Sequence, residues 1–511
     1  MHTHIANGDS RLSFWPRVRE FAVPPPMIES ATARRLCGDW AGACAAAGID
    51  VDLNLRALAR DHGHELAARV RADLRHLAPD LLRWHMPRIA PDGLLRPGLT
   101  ISLARYGPDS DRRTRGVHLV VRTPPGWAAA GQRISLALWD GSDRASGAYL
   151  YPHPHPHRRF RLDLHRHLWD ARRSHELGVR SGAVPAGSAG SAGSAGQARQ
   201  AGPAGQAGPA DPPPWADRSA GAAPSGSASD LLDLVPQDQP CAVDRWAAEA
   251  EILLRADGRP PGAVLVRLGA RHRLIVAPDT DPGDGTGHWD GDVGNGARLP
   301  GLRVARASAS GRGPALPVLP DAATWVLPDL ELLRAGAIDA DRLHPLVAEA
   351  LIPGYSSATP RTVRDPGHPR FVDCRGARHR IGLVDGVLTA LDHDPDEIRR
   401  EELLAALTGT PVPCLQAIDA AHRRPDCLTG VRERLHHGDS SGALAVVEDL
   451  LGAEAVLRDG ALLDSLEAAA RGRITYGLFR AGLIGRTPPL LCPRPVRPGT
   501  RGSRGRRTSV R

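Results

Sequence analysis

The chain has 511 residues, with 65 basic against 57 acidic side chains, a formal net charge of +8, and arginine at every basic position. Without lysine there is no phosphate-cradling G-x-x-x-x-G-K-[ST] loop, no Schiff-base or kinase-type strand lysine, and no Ser-Lys dyad. The positive charge does not argue for a nucleic-acid-binding body either: eight arginines and no acid fall in 486–511, so residues 1–485 carry 57 charges of each sign.

Met1 to Glu20 lack the apolar segment of a secretory signal, and no run of about 18 apolar residues occurs, so a cytoplasmic protein with no membrane partner is expected. After this 1–19 extension, an N-terminal α+β module is expected over 20–178. Two short helices form a hairpin broken at Gly38-Asp39. Leu55, Leu58, Leu66, Val70, Leu74 and Leu77 then recur at three- and four-residue steps, predicting one longer amphipathic helix that Pro79 ends. Alternating apolar residues predict strands at Leu99–Tyr106, Gly116–Arg122 and Gln132–Trp139, arranged as an antiparallel meander. A helix from Asp163 to Leu177 closes the module.

Residues 179–230 are Gly/Ala/Ser/Pro-rich and read as a disordered tether, spanning roughly 40 Å for a flexible chain of this length. A central α+β module is expected over 231–393. It starts with a helix at Ala242–Ala256, followed by a hairpin turning at Gly269-Ala270 and a strand at Leu302–Ala305. Two helices around 329–351 follow. A second meander, RFVDC, RHRIGLV and VLTAL, turns at Asp385-Gly386. Residues 394–485 read as an all-α array. Asp394-Pro395-Asp396-Glu397 has the N-cap, N1 proline and N3 glutamate of a capping box, and helices are expected at Pro395–Leu407, Cys414–Ala421, Thr429–His436, Gly442–Leu451, Ala461–Arg471 and Ile474–Ala481. Gly38-Asp39 and Gly438-Asp439 each precede an alanine-containing helix, a faint internal repetition. An Arg-rich disordered tail occupies 486–511. The fold class expected from this pattern is α+β, with two modules of helices and small antiparallel meanders before a helical array.

Candidate chemistry is sparse. His153, His155 and His157 alternate with prolines, and a polyproline conformation makes such histidines diverge; His165 and His167 follow them. Asp279, Asp281 and Asp290 fit the first, third and twelfth positions of a calcium loop, but the sixth position is Asp284 where the loop needs glycine. The cysteines 37, 44, 241, 374, 414, 427 and 492 form no C-x-x-C pair, which predicts buried reduced thiols rather than a zinc ribbon or a disulfide framework. His64-Glu65 and His175-Glu176 lack the second histidine of a metalloprotease helix. Asp61, His64 and Glu65 read as a polar helix face. In the group Asp392, His393, Asp394, Asp396 and Glu397, helix capping accounts for Asp394 and Glu397. No catalytic set and no cofactor are expected. Arg501, Arg504, Arg506 and Arg507 could attract nucleic acid or an acidic partner.

Several stretches are similar as a set to conserved proteins of high-GC bacteria that carry no assigned activity: MIESATARRLCGDWAGACAAAGIDVDL, DLRHLAPDLLRWHMPR, RHLWDARRSHEL, HRIGLVDGVLTALDHDPDEIRREELLAAL and RITYGLFRAGL. The resemblance covers both modules but not the tether. It implies that the gene lies near genes for MoxR-type AAA+ ATPases and von Willebrand A-domain proteins. The expectation is a non-catalytic adaptor or scaffold that contacts a protein partner. The alternatives are a metal-dependent protein using the His-rich or Asp-rich loop, and a nucleic-acid-associated protein acting through the tail.

Overall fold

The computed structural model describes residues 14–107, 116–141, 155–183, 235, 240–269, 272–278, 297–299, 302–307, 316–352, 354–355, 370–384, 387–408, 412–423, 428–451, 457 and 459–483. His153, Asp279, Asp281, Asp290, the Asp385-Gly386 turn and Arg501, Arg504, Arg506 and Arg507 lie outside these residues, as does most of the tether. The fold is α+β. Among the described residues no helix is long and apolar enough to cross a membrane.

The first described residues belong to the first core. Phe14, Trp15 and Val18 are buried, the last in a π-helical turn, Val18–Ala22, so part of the expected 1–19 extension is core. Helices α1 (Pro25–Leu36) and α2 (Trp40–Ala46) form the expected hairpin, and β1 (Ile49–Asp52) follows. The single amphipathic helix expected next is two: α3 (Leu55–His62) and α4 (His64–His76), broken at Gly63, whose φ of +91° only glycine adopts cheaply. Asn54 caps α3 by accepting from the amides of Arg56 and Ala57. Pro79 opens a further helix, α5 (Pro79–His85), as an N1 proline does.

After the short pair β2 (Arg88–Ile89) and β3 (Leu94–Leu95) come β4 (Thr100–Tyr106), β5 (Val117–Arg122) and β6 (Ile134–Trp139). These three are antiparallel neighbours, as their alternation predicts. The sheet order is β1-β6-β5-β4, with β1 parallel to β6 (Ile49 opposite Ile134). The helix expected over 163–177 is replaced by 3-10 turns at 166–168 and 174–176 and a short α6 (Leu177–Arg180). Local polar bonding defeats the helix. Asp163 binds Arg161, and Asp170 binds Arg166 and Arg172. The Ala78 amide takes the Trp169 carbonyl.

A second core joins α7 (Trp246–Ala256) to a sheet of order β7-β8-β10-β9, made of β7 (Val264–Arg267), β8 (Arg273–Pro278), β9 (Ala297–Leu299) and β10 (Leu302–Arg306). The short α8 (Asp321–Thr324) closes it. The next helices, α9 (Pro328–Arg334) and α10 (Pro345–Leu351), leave this core. Leu330, Leu332, Leu333, Val347 and Leu351 are buried in the first core, so the expected 231–393 module does not pack as one unit. Polar bonds fix the junction: Trp84 Nε1 donates to Asp329 Oδ2 (2.7 Å), and His344 Nε2 donates to Asp80 Oδ2 (2.7 Å).

The described residues from 370 onward form the antiparallel sheet β11 (Arg370–Cys374), β12 (Ala377–Val384) and β13 (Val387–Ala390), followed by α11 (Pro395–Thr408), α12 (Pro413–Arg423), α13 (Leu428–His436), α14 (Ser440–Leu451) and α15 (Ala461–Arg480). The last helix is continuous where two were expected. Gly472 does not break it; a Cβ there would lie 2.5 Å from the Ala130 side chain, so glycine permits close packing. This part docks on the N-terminal sheet through Tyr476 Oη to Asp50 Oδ2 (2.5 Å), an Arg480–Asp52 ion pair, and Trp127 edge-on to Phe479.

Candidate metal centre

Strand register gathers the first two groups. Val372 pairs with His379 and Cys374 with Ala377, so Val372, Cys374, Ala377 and His379 share one face of the hairpin. The turn between the strands is Arg375-Gly376, with φ of +51° and +81°, the twist a two-residue hairpin requires. His393 lies in the turn from β13 into α11. Asp392 pins that turn by accepting from the Arg380 guanidinium (2.7 Å) and amide (2.7 Å), and these hydrogen bonds hold its carboxyl down to about 2. Cys414 sits in the first turn of α12, which packs across the same sheet.

The four side chains converge. One ligand atom from each of Cys374, His379, His393 and Cys414 lies within 4.8 Å of all the others, and among the described residues this is the one such group of three or more. His379 Nδ1 faces His393 Nε2 at 2.5 Å. Both sulfurs are fully buried and neither is in a disulfide. The His393 side chain is almost buried, and its other ring nitrogen, Nδ1, faces Glu397 Oε2 at 3.6 Å. Glu397 also accepts from Arg375 (3.2 Å), and Arg375 forms a second ion pair with Glu401. Burial, with the Cys374 sulfur beside it, pushes the Cys414 thiol up to about 11. Two thiols and two imidazoles are the donor set of a closed four-coordinate site for a soft or borderline cation.

The sequence treated these residues separately. Neither cysteine belongs to a C-x-x-C pair, and the spacing of four, thirteen and twenty residues between successive members of the group carries no familiar pattern. Helix capping explains one of the two acids for which the sequence predicts it. Asp394 does cap α11, accepting from the Asp396 amide (2.9 Å), whereas Glu397 turns to His393 and Arg375. The available signal was composition: two cysteines bracketing two histidines within one hairpin-plus-helix unit.

Of the sequence's metal candidates, His155 and His157 do not join the centre, and His153 lies outside the described residues. His155 stands edge-on to Trp139 (5.9 Å), and His157 Nδ1 accepts from the Arg159 amide (3.1 Å). His165 and His167 are buried in the protein, His165 against Glu249 (3.2 Å). Asp61, His64 and Glu65 are exposed and divided between α3 and α4. No protein-family model, no curated protein and no solved structure matches this chain.

Proposed function

We propose that the protein is a non-catalytic scaffold that docks a protein partner on the outer face of α11. The observation that carries this reading is the exposure of Leu403 (64%), Leu404 (51%) and Leu407 (85%) on that helix. Burying one such leucine contributes about 1.5–3 kcal/mol, so three on one face are a strong inducement to association. Apart from Leu36 and Ile89, the exposed large apolar residues among those described all fall between Leu403 and Leu483. Arg399 and Arg400 are exposed beside the leucines, so the fitting partner is a helix with an apolar stripe and an acidic rim. Free thiols at Cys374 and Cys414 suit a cytoplasmic setting. An AAA+ ATPase, implied by the family resemblance, is the first partner to test.

The test is site-specific photo-crosslinking in cells. A crosslinker at position 403 or 407 should capture one defined heterologous protein, a crosslinker at 36 or 89 should not, and Leu404→Ser should weaken capture. Capture of a second copy of this chain alone would replace the reading by self-association, and no capture from α11 would overturn it.

A further inference from the structure

We infer that Cys374, His379, His393 and Cys414 bind one zinc ion, with Glu397 orienting His393 from outside the ligand shell. This is independent of whether α11 docks a partner.

The donor types select the ion. Two sulfurs and two imidazole nitrogens suit Zn2+, whereas Mg2+ and Ca2+ require oxygen ligands. With Zn–S near 2.3 Å and Zn–N near 2.0–2.1 Å, tetrahedral ligand atoms stand roughly 3.3–3.8 Å apart. A set already within 4.8 Å needs adjustments of about 1 Å or less to reach that spacing. All four positions are filled by the protein, so the ion is structural and has no place for a reacting water.

The core around the site gives the second argument. Among the described residues its buried apolar side chains are Cys374, Ala390 and Cys414, with Val372, Ile398, Val412 and Ile418 packed against them. A zinc ion bridging the end of β11, the middle of β12, the β13–α11 turn and the start of α12 ties all of these together.

The surroundings of His393 complete the site. With Nε2 toward the quartet, Nδ1 faces the Glu397 carboxylate, the carboxylate–histidine–metal arrangement that fixes a ring's orientation and raises its basicity. Arg375 in turn holds Glu397.

The experiment uses the full-length protein purified under reducing conditions, with metal content measured by inductively coupled plasma mass spectrometry. One zinc per chain is expected. Cys374→Ser and Cys414→Ser should each abolish retention, while Cys37→Ser, at an exposed cysteine, should keep it. Cobalt exchanged for zinc should show thiolate charge-transfer absorption and the intense visible bands of a tetrahedral ion. Glu397→Gln should keep the site but weaken zinc affinity about 10–100-fold in competition with a chromophoric chelator. Fluorescence of Trp84 and Trp169, buried in the first core, separates local loss of the site from global unfolding of a variant. If a serine variant unfolds globally, the cobalt spectrum of the wild-type protein decides. The inference fails if folded wild-type protein supplied with zinc retains none, if the double serine variant retains it, or if Cys374 and Cys414 are recovered as a disulfide. Glu397 loses its role if the glutamine variant binds zinc as tightly as wild type.

Discussion

Glu249, on α7 of the second core, is gripped by two groups from the first. Arg180 donates to both its oxygens (2.6 and 2.7 Å), and His165 Nε2 stands 3.2 Å away. Burial alone would raise this carboxyl, but the His165 and Arg180 hydrogen bonds and charges outweigh it and bring it down to about 2. A folded-state value below the unfolded one means the stabilisation is fully present above about pH 4.5 and disappears as pH falls toward 2. Glu249→Gln should therefore cost about 3–5 kcal/mol at pH 7, because it leaves the partly buried Arg180 charge without its carboxylate. It should also flatten the fall in stability between about pH 4.5 and 2. Urea unfolding at several pH values measures both, and an unchanged acid slope would show that another carboxylate controls it. Sequence alone does not reveal this pairing: Arg180 falls at the start of the expected 179–230 tether but is the last residue of α6, and Glu249 lies far beyond it in the chain.

Two helical corners repeat one local solution. At Gly38-Asp39 and Gly438-Asp439 the glycine takes a left-handed φ (+79° and +86°), and the aspartate accepts from the amide three residues on (2.8 and 2.9 Å). Its other oxygen holds an arginine five residues back (3.0 and 2.9 Å). The faint Gly-Asp repetition in the sequence was thus a real structural cue, because glycine and a capping aspartate both act within a few residues. What differs is the surroundings. A Cβ at Gly38 would meet nothing within 4 Å, so Gly38→Ala should cost only the strain of its φ, about 1–2 kcal/mol. A Cβ at Gly438 would lie 2.1 Å from the Gly131 carbonyl oxygen, which cannot yield without moving the 126–132 loop. Gly438→Ala should therefore cost more and detach this corner from the N-terminal sheet, raising amide hydrogen exchange through α13 and α14. Equal effects of the two substitutions would contradict the docking. The same limit on local information applies to the metal centre. Its hairpin and helices were legible from alternation and capping, but the meeting of Cys414 with Cys374 depends on how α12 crosses the sheet, and no spacing rule encodes that.

The molecule as a whole does not divide where its composition changes. The tether predicts independent units on either side of it, yet α9 and α10, beyond the tether and the whole second sheet, complete the first core. Periodicity identified these helices but could not say which apolar surface they cover, since leucine-rich faces fit either core. The polar contacts settle it: Asp329 is fully buried between Arg19 and Trp84, and His344 between Asp80 and its own helix start, where its Nδ1 accepts from the Leu346 amide. A fragment ending at residue 230 would strip Arg19 and Trp84 of the Asp329 carboxylate, Asp80 of His344, and the core of Leu330, Leu332, Leu333, Val347 and Leu351. Each buried leucine lost costs about 1.5–3 kcal/mol, and a bisected ion pair adds about 3–5 kcal/mol, against a total stability of about 5–15 kcal/mol for a domain. Fragment 1–230 should thus lack the near-ultraviolet circular dichroism of its packed tryptophans, whereas fragment 1–355, which restores α9 and α10, should regain it and unfold cooperatively in urea. Native dichroism from fragment 1–230 would show that the helices merely lean on a core able to form without them. Added peptide 316–355 should restore that dichroism to fragment 1–230 by completing its core, and should shield Trp84 from quenching by acrylamide.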